Sequence, residues 1–188
     1  MDEKNSDFPR DGFAKLLKSF DSTEDVVKLT RAFGFATKVH RGQLFNKSEP
    51  YINHPLRVAM ILVDELQMRD SELACAALLH DASEVHDEEL KEYGERIPTI
   101  VRAVEEPKPK PEEKEKALEQ YFRKISQAPK DARYVKLADR LDSVRAMKGH
   151  ALKAARYKEE TEKYITPLAL ATDDRLAFKL SVALYELK

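Results

Sequence analysis

The residues of this chain best suited to chemistry fall into two constellations. The first is His80-Asp81 with Glu84. On a helix, positions 80 and 84 are one turn apart and share a face, with Asp81 three before Glu84, so an imidazole and two carboxylates would meet at one spot. The preceding Leu73–Leu79 (LACAALL) is apolar nearly all round, which would set that cluster at the end of a buried helix. Unpaired charge in such a place is costly, and a cation is the usual remedy. The second constellation is Asp139, Asp142 and Ser143, which share a face at spacings of three and four, while Val135, Ala138, Leu141 and Val144 line the core side. Taken alone, Asp139 is equally a salt-bridging acid beside Arg140. No contiguous chelating motif occurs, so a metal site would have to be assembled from distant helices.

Other reactive side chains have two readings each. His40, in VHRGQ, is either a support or phosphate contact for a site or a structural histidine. Arg41 and Lys47 are either phosphate-binding cations or solvated charges. His86-Asp87 repeats the HD dipeptide without companion ligands and is expected at the surface. Cys75 has no cation or histidine beside it to activate it and reads as a small buried hydrophobe.

The elements that must position these residues are helical. Val26, Leu29, Phe33 and Ala36 step by three and four, as do Val58, Ile61, Leu62 and Leu66, and Leu176, Leu180, Ala183, Leu184 and Leu187. Asp21-Ser22-Thr23-Glu24 offers a cap before the first long helix, and Asp70-Ser71 offers one before a helix over 72–84. Glycine is scarce and no alternating strand pattern occurs, so the periodicity predicts an all-α fold of about eight helices. Gly42–Asn53 lacks helical period and reads as a loop between helices. The charged, proline-bearing stretch EEPKPKPEEKEK at 105–116 reads as an exposed connection.

Composition narrows the partners. The 33 basic and 34 acidic residues leave a net charge of −1, too little to gather nucleic acid, so an anionic substrate would need a metal ion or a few placed cations. No apolar run approaches the roughly 18 residues that span a bilayer. A single cysteine excludes an internal disulfide and fits a reducing cytosol, and the polar start MDEKNSDFPRDG is unlike a signal peptide, so a cytoplasmic location is expected. Nothing in the sequence sets an oligomeric state.

The order His54, then His80-Asp81, then Asp139 resembles the H…HD…D signature of the HD superfamily of metal-dependent phosphohydrolases. The likeness extends further. VHRGQ at 39–43, EPYINHP at 49–55, AALLHD at 76–81, VKLADRL at 135–141 and ETEKYITPLA at 160–169 are similar, in order and spacing, to the hydrolase domain of the RelA/SpoT-type alarmone enzymes. The similarity runs over residues 25–170, and no synthetase or regulatory domain follows. The chain therefore looks like a stand-alone small alarmone hydrolase, one HD-type domain over 1–188.

That resemblance implies His54, His80, Asp81 and Asp139 as ligands of one divalent ion, with Mn²⁺ favoured by the mixed N/O set and Zn²⁺ or Fe²⁺ as competitors. It implies Glu84 as the residue that orients or deprotonates water, and Lys47, Arg41, Ser143 and Tyr164 as substrate contacts. Three places depart from the family pattern. Val85 stands where an aspartate follows the glutamate, Ser143 where an asparagine is usual, and Phe45-Asn46-Lys47 where Arg-Lys-Ser is usual. The activity implied is removal of diphosphate from the ribose 3′ position of a guanosine or adenosine tetra- or pentaphosphate. The departures keep two rivals open: an HD-type phosphatase for another nucleotide or phosphorylated metabolite, and a catalytically weak nucleotide-binding regulator.

Overall fold

Where the sequence carries a helical period, the chain is helical. The computed structural model describes residues 7–82, 85–147 and 151–187. They divide into two compact units, Met1–Arg102 and Ala103–Lys188.

The first unit holds α1 (Phe8–Leu17), α2 (Thr23–Val39), α3 (Asn53–Met60), α4 (Ser71–Leu79), α5 (Asp87–Lys91) and most of α6 (Ile97–Val104). Ser22 caps α2 by accepting from the Asp25 amide, and Asp70 caps α4 by accepting from the Leu73 amide, satisfying donors that the first turn leaves unpaired. Every residue of Leu73–Leu79 is buried, and α4 packs against both α2 and α3, the central position its apolar circumference requires. Truncating one of its fully buried leucines, such as Leu78, costs about 2–5 kcal/mol. α1 crosses α3 closely at Gly12, where a methyl group would come within 3.1 Å of Leu56 Cδ2.

The second unit holds α7 (Lys114–Gln127), α8 (Lys130–Ala146), α9 (Ala151–Glu160), α10 (Thr166–Leu170) and α11 (Asp174–Tyr185), with α9 running into α10 through a π turn at Thr161–Ile165. α8 is its spine and packs against α7, α9, α10 and α11. Val135, Ala138, Leu141 and Val144 are fully buried there, as their spacing predicts. Counting α9–α10 as continuous, ten helices lie among the described residues, close to the number read from periodicity. No helix among them is long and apolar enough to cross a membrane.

Two expectations need correction. The helix predicted over 72–84 stops at Leu79, because His80 turns its ring back to bond the Ala77 carbonyl and the chain continues in turns, with Ala82 bonding Leu79 and Val85 bonding Ala82. The loop at 42–53 contains a small hairpin, β1 (Leu44–Phe45) paired antiparallel with β2 (Glu49–Pro50). Its tip places Asn46 and Lys47 at φ 49° and 61°, a left-handed conformation that asparagine tolerates and lysine resists.

Candidate metal centre

The hairpin sets up the start of α3. Glu49 on β2 accepts from Asn53 Nδ2 at 2.8 Å and clamps Arg57 with both oxygens, at 2.9 and 2.8 Å. This fork fixes the first turn of α3 and with it His54. Phe45 of β1 lies flat on the His54 ring, 4.4 Å between centroids and 5° between planes, and Arg57 sits over the other ring at 5.6 Å.

His80 arrives from the end of α4. Its Nδ1 is 2.7 Å from the Ala77 carbonyl oxygen. A carbonyl only accepts, so Nδ1 carries the hydrogen, and in the neutral form the ring offers its lone pair at Nε2. That atom is 3.2 Å from Asp81 Oδ2, and His54 Nε2 is 3.7 Å from the same oxygen. The His54 and His80 rings meet edge to face at 5.2 Å. One ligand atom from each of His54, His80 and Asp81 lies within 4.8 Å of the other two. Both histidines are buried, while the Asp81 side chain is one-third exposed, which leaves an approach from solvent. Two imidazole lone pairs converging on a carboxylate repel one another unless a cation or a proton lies among them. The donor set therefore fits a divalent metal of the borderline class.

Tyr51 supports the cluster by donating its hydroxyl to Asp81 Oδ2 at 2.8 Å, the kind of outer hydrogen bond that orients a ligating carboxylate. Behind it, His40 stacks on the Tyr51 ring at 4.7 Å and holds Gln43 Oε1 through Nδ1 at 3.1 Å. Its Nε2 is buried with no hydrogen-bond partner among the described residues. Burial lowers the pKa of His40 from its ordinary value, against smaller opposing pulls from Gln43 and Asp81. His40 is thus packed behind the cluster and stays neutral more readily than a free histidine. Arg41 and Lys47 are both exposed, Lys47 at the hairpin tip.

The second unit places Asp139 in different company. Lys136, one turn earlier on α8 and almost wholly buried, donates to Asp139 Oδ2 at 2.9 Å and to Glu106 Oε1 at 2.5 Å. Burial works against the Lys136 charge, but Asp139 and Glu106 together keep its ammonium form well above the ordinary lysine range. Arg140 bonds Glu160 at 2.9 Å and Glu106 at 3.4 Å, with Tyr157 under its guanidinium at 4.3 Å. So Arg140 pairs with Glu106 and Glu160, and the cation on Asp139 is Lys136. Ser143 Oγ reaches Asp139 Oδ1 at 3.5 Å. Glu106 shows that the 105–116 stretch is not all solvated connection, because that residue joins two buried cations. Tyr164 is half-buried, stacks on Phe122 at 4.9 Å and lines a cavity of about 300 Å³ with Lys114, Arg156, Glu160 and Lys163.

Glu84 lies outside the described residues. Val85 is half-buried and its carbonyl accepts from Arg102, which also bonds Asp87 at 2.8 Å. His86 and Asp87 are exposed, as expected of a dipeptide without companion ligands. Cys75 is buried and its thiol is pushed up to about 12 by that burial, so it is inert. The supporting roles of Glu49, Tyr51, Arg57, Lys136 and Glu106 were not read from sequence. A signal for one existed: Glu49, Asn53 and Arg57 are spaced by four across the helix start.

A fold of this kind, with paired histidines and an aspartate at the end of a buried helix, defines a class. The HD domain family profile matches residues 32–173, and the chain belongs to that family. Among individual relatives, the guanosine-3′,5′-bis(diphosphate) 3′-pyrophosphohydrolase of Aquifex aeolicus is 38% identical over 162 residues, covering 82% of this chain. The chain spans only 23% of that relative's length. Human MESH1, also named a guanosine-3′,5′-bis(diphosphate) 3′-pyrophosphohydrolase, is 37% identical over 130 residues, covering 64% of this chain and 70% of the human protein. A solved structure described as a metazoan ortholog of SpoT that hydrolyzes ppGpp superposes with a TM-score of 0.72 over 90% of this chain and 99% of its own, at 24% identity.

Proposed function

We propose that this chain is a metal-dependent nucleotide pyrophosphohydrolase that removes the 3′-diphosphate of guanosine tetra- and pentaphosphate alarmones. One observation carries the reading: His54, His80 and Asp81 converge in a chain whose relatives are named for cleaving that ester. Water adds across the bond from the ribose 3′ oxygen to the diphosphate, leaving a 3′-hydroxyl nucleotide and free diphosphate.

His54 and His80 hold the ion through Nε2 and Asp81 through its carboxylate, with Tyr51 fixing the orientation of that carboxylate. Asp139 is assigned as fourth ligand on the order of the motifs. Mn²⁺ suits the set, and a bound divalent ion supplies Lewis-acid charge at a phosphoryl group. Glu84 is assigned to orient and deprotonate water, and Lys47 and Arg41 to draw a polyanion to a nearly neutral protein. Ser143 and Tyr164 complete the proposed substrate contacts. Residues 1–188 act as one HD-type domain, a reading supported by a family match that runs from 32 to 173. The lone buried Cys75 is consistent with work in a reducing cytosol.

The test is to incubate purified protein with Mn²⁺ and a panel of nucleotides and identify each product by mass. Diphosphate released from the alarmones is the expected result. Orthophosphate from another nucleotide would instead make this an HD-type phosphatase, as Val85 and Ser143 leave open. Tight binding without turnover would make it a regulator.

A further inference from the structure

Among the described residues, six large apolar side chains are exposed, and four of them fall on the last two helices: Leu170, Phe178, Val182 and Tyr185. Phe178 is 71% exposed and Tyr185 68%, far more than scattered surface leucines need explaining. Positions 178, 182 and 185 lie within about 60° of one another around α11, so they form one stripe rather than three separate exposures. Leu176, Leu180, Ala183 and Leu184 already occupy the buried side of the same helix. α11 is therefore apolar on two faces, and only one is covered within its unit.

The arrangement of the stripe specifies what fits it. About a point between Ser181 and Val182, the sequence is nearly self-complementary: an aromatic ring stands at each end, at 178 and 185, with small or branched residues between. Two antiparallel copies of α11 would set Phe178 against Tyr185 of the other copy, with the helices approaching closely at Ser181-Val182. The charges agree. Arg175, Lys179 and Glu186 lie together on one flank of the stripe, within about 40° around the helix. In the same antiparallel register Glu186 falls level with position 177 of the second copy, between Arg175 and Lys179. A groove of about 240 Å³, lined by Arg145, Phe178, Lys179, Val182, Ala183 and Glu186, runs beside the stripe and gives an incoming ring a place to sit. A surface that matches itself in shape and charge under reversal is the requirement for an isologous twofold contact.

We propose that α11 is the interface of a homodimer in which two copies pack antiparallel about Val182. α11 is 12 residues long, about 18 Å, so the contact is at the small end of specific interfaces and the dissociation constant falls roughly in the micromolar range. Arg175 keeps its bond to Asp173, at 2.7 Å, and meets Glu186 of the second copy from the rim.

Sedimentation velocity of the full chain across a concentration series tests this. The wild type should pass from monomer to dimer. Val182→Glu should remain monomeric at every concentration with its helicity retained, because the side chain is 42% exposed in the monomer and a glutamate can turn outward from the groove. Glu186→Lys, which sets a lysine between two cations, should weaken the dimer at least about tenfold. Adding Lys179→Glu to it should recover part of that loss. A wild type that stays monomeric throughout overturns the proposal. So does a dimer that survives Val182→Glu, or one whose strength ignores the charge changes, since the contact would then lie on another face.

Discussion

Asp81, in the first unit, is held by a neutral phenol and faced by two imidazoles, whereas Asp139, in the second, is held by a buried ammonium. Tyr51 steadies Asp81 without cancelling its charge, so the carboxylate and the two facing lone pairs remain available to a cation. Lys136 largely cancels Asp139 and is itself shared with Glu106, and Arg140 on α8 extends the alternation of charge to Glu160 at the end of α9. Two aspartates of one motif pattern thus sit in opposite electrostatic settings. The first setting fits a metal ion, whereas Asp139, proposed as the fourth ligand, is already paired with Lys136.

The largest expected effect of breaking this contrast is on stability. Lys136→Met strands Asp139 and Glu106 without their ammonium, and removing one partner of a buried pair costs about 3–5 kcal/mol. Glu106 is 39% exposed and water relieves part of that loss, so the lower end, about 3 kcal/mol, is expected in urea unfolding. Combining it with Asp139→Asn should recover part of the loss in a double-mutant cycle. A cost within experimental error would mean the ammonium contributes nothing to the fold.

Tyr51→Phe probes the other side. It removes one hydroxyl and keeps the ring that packs on His40 and Phe45, so the fold should hold. Metal affinity, read by Mn²⁺ titration, should fall about 10–100-fold as Asp81 loses its orienting donor. Undiminished affinity would show that the imidazoles alone orient the site.

Arg41 and Lys47 are exposed cations on the first unit, and Ala at either should raise KM roughly tenfold while sparing kcat, the pattern of lost uniform binding. Unchanged KM in both variants would leave them as solvated charges.

The smallest effect concerns pH. Because burial depresses the His40 pKa, the unfolded chain takes up a proton as pH falls below 6.5 while the folded chain still refuses it. Stability is therefore complete above 6.5 and declines as pH falls toward and through the lower folded value. His40→Asn should flatten thermal stability across that window. An equal slope in both proteins would assign the acid sensitivity elsewhere.

Much of this architecture is legible in the order and spacing of the residues. The three-and-four spacing of α8 and α11 reports burial, on α2 it picks out buried Leu29 and Ala36 together with half-buried Val26 and Phe33, and LACAALL announces a central helix by having no polar face. The end of α4 was not legible, because the Ala77 carbonyl taken by His80 is a side-chain choice that periodicity does not encode. The hairpin at 44–50 escaped because two-residue strands carry no alternation. Glu106 was hidden in a run of charges that looks uniformly solvated, and only α8, from far along the chain, singles it out. Of the site, the residue types that bind metals were visible in the motif order. The groups around them were not. Tyr51 reaches Asp81 through a tertiary contact 30 residues away. Lys136, though one helical turn from Asp139, is singled out only by its burial and its bond to Glu106, also 30 residues away.

The most direct test of the account is the metal content of the purified protein by elemental analysis, wild type beside His80→Ala. One divalent ion per chain is predicted for the wild type, with most of it lost when the His80 imidazole is gone. A full complement of metal in His80→Ala, or none in a wild type saturated with Mn²⁺, would contradict the claim that His54, His80 and Asp81 form the metal centre.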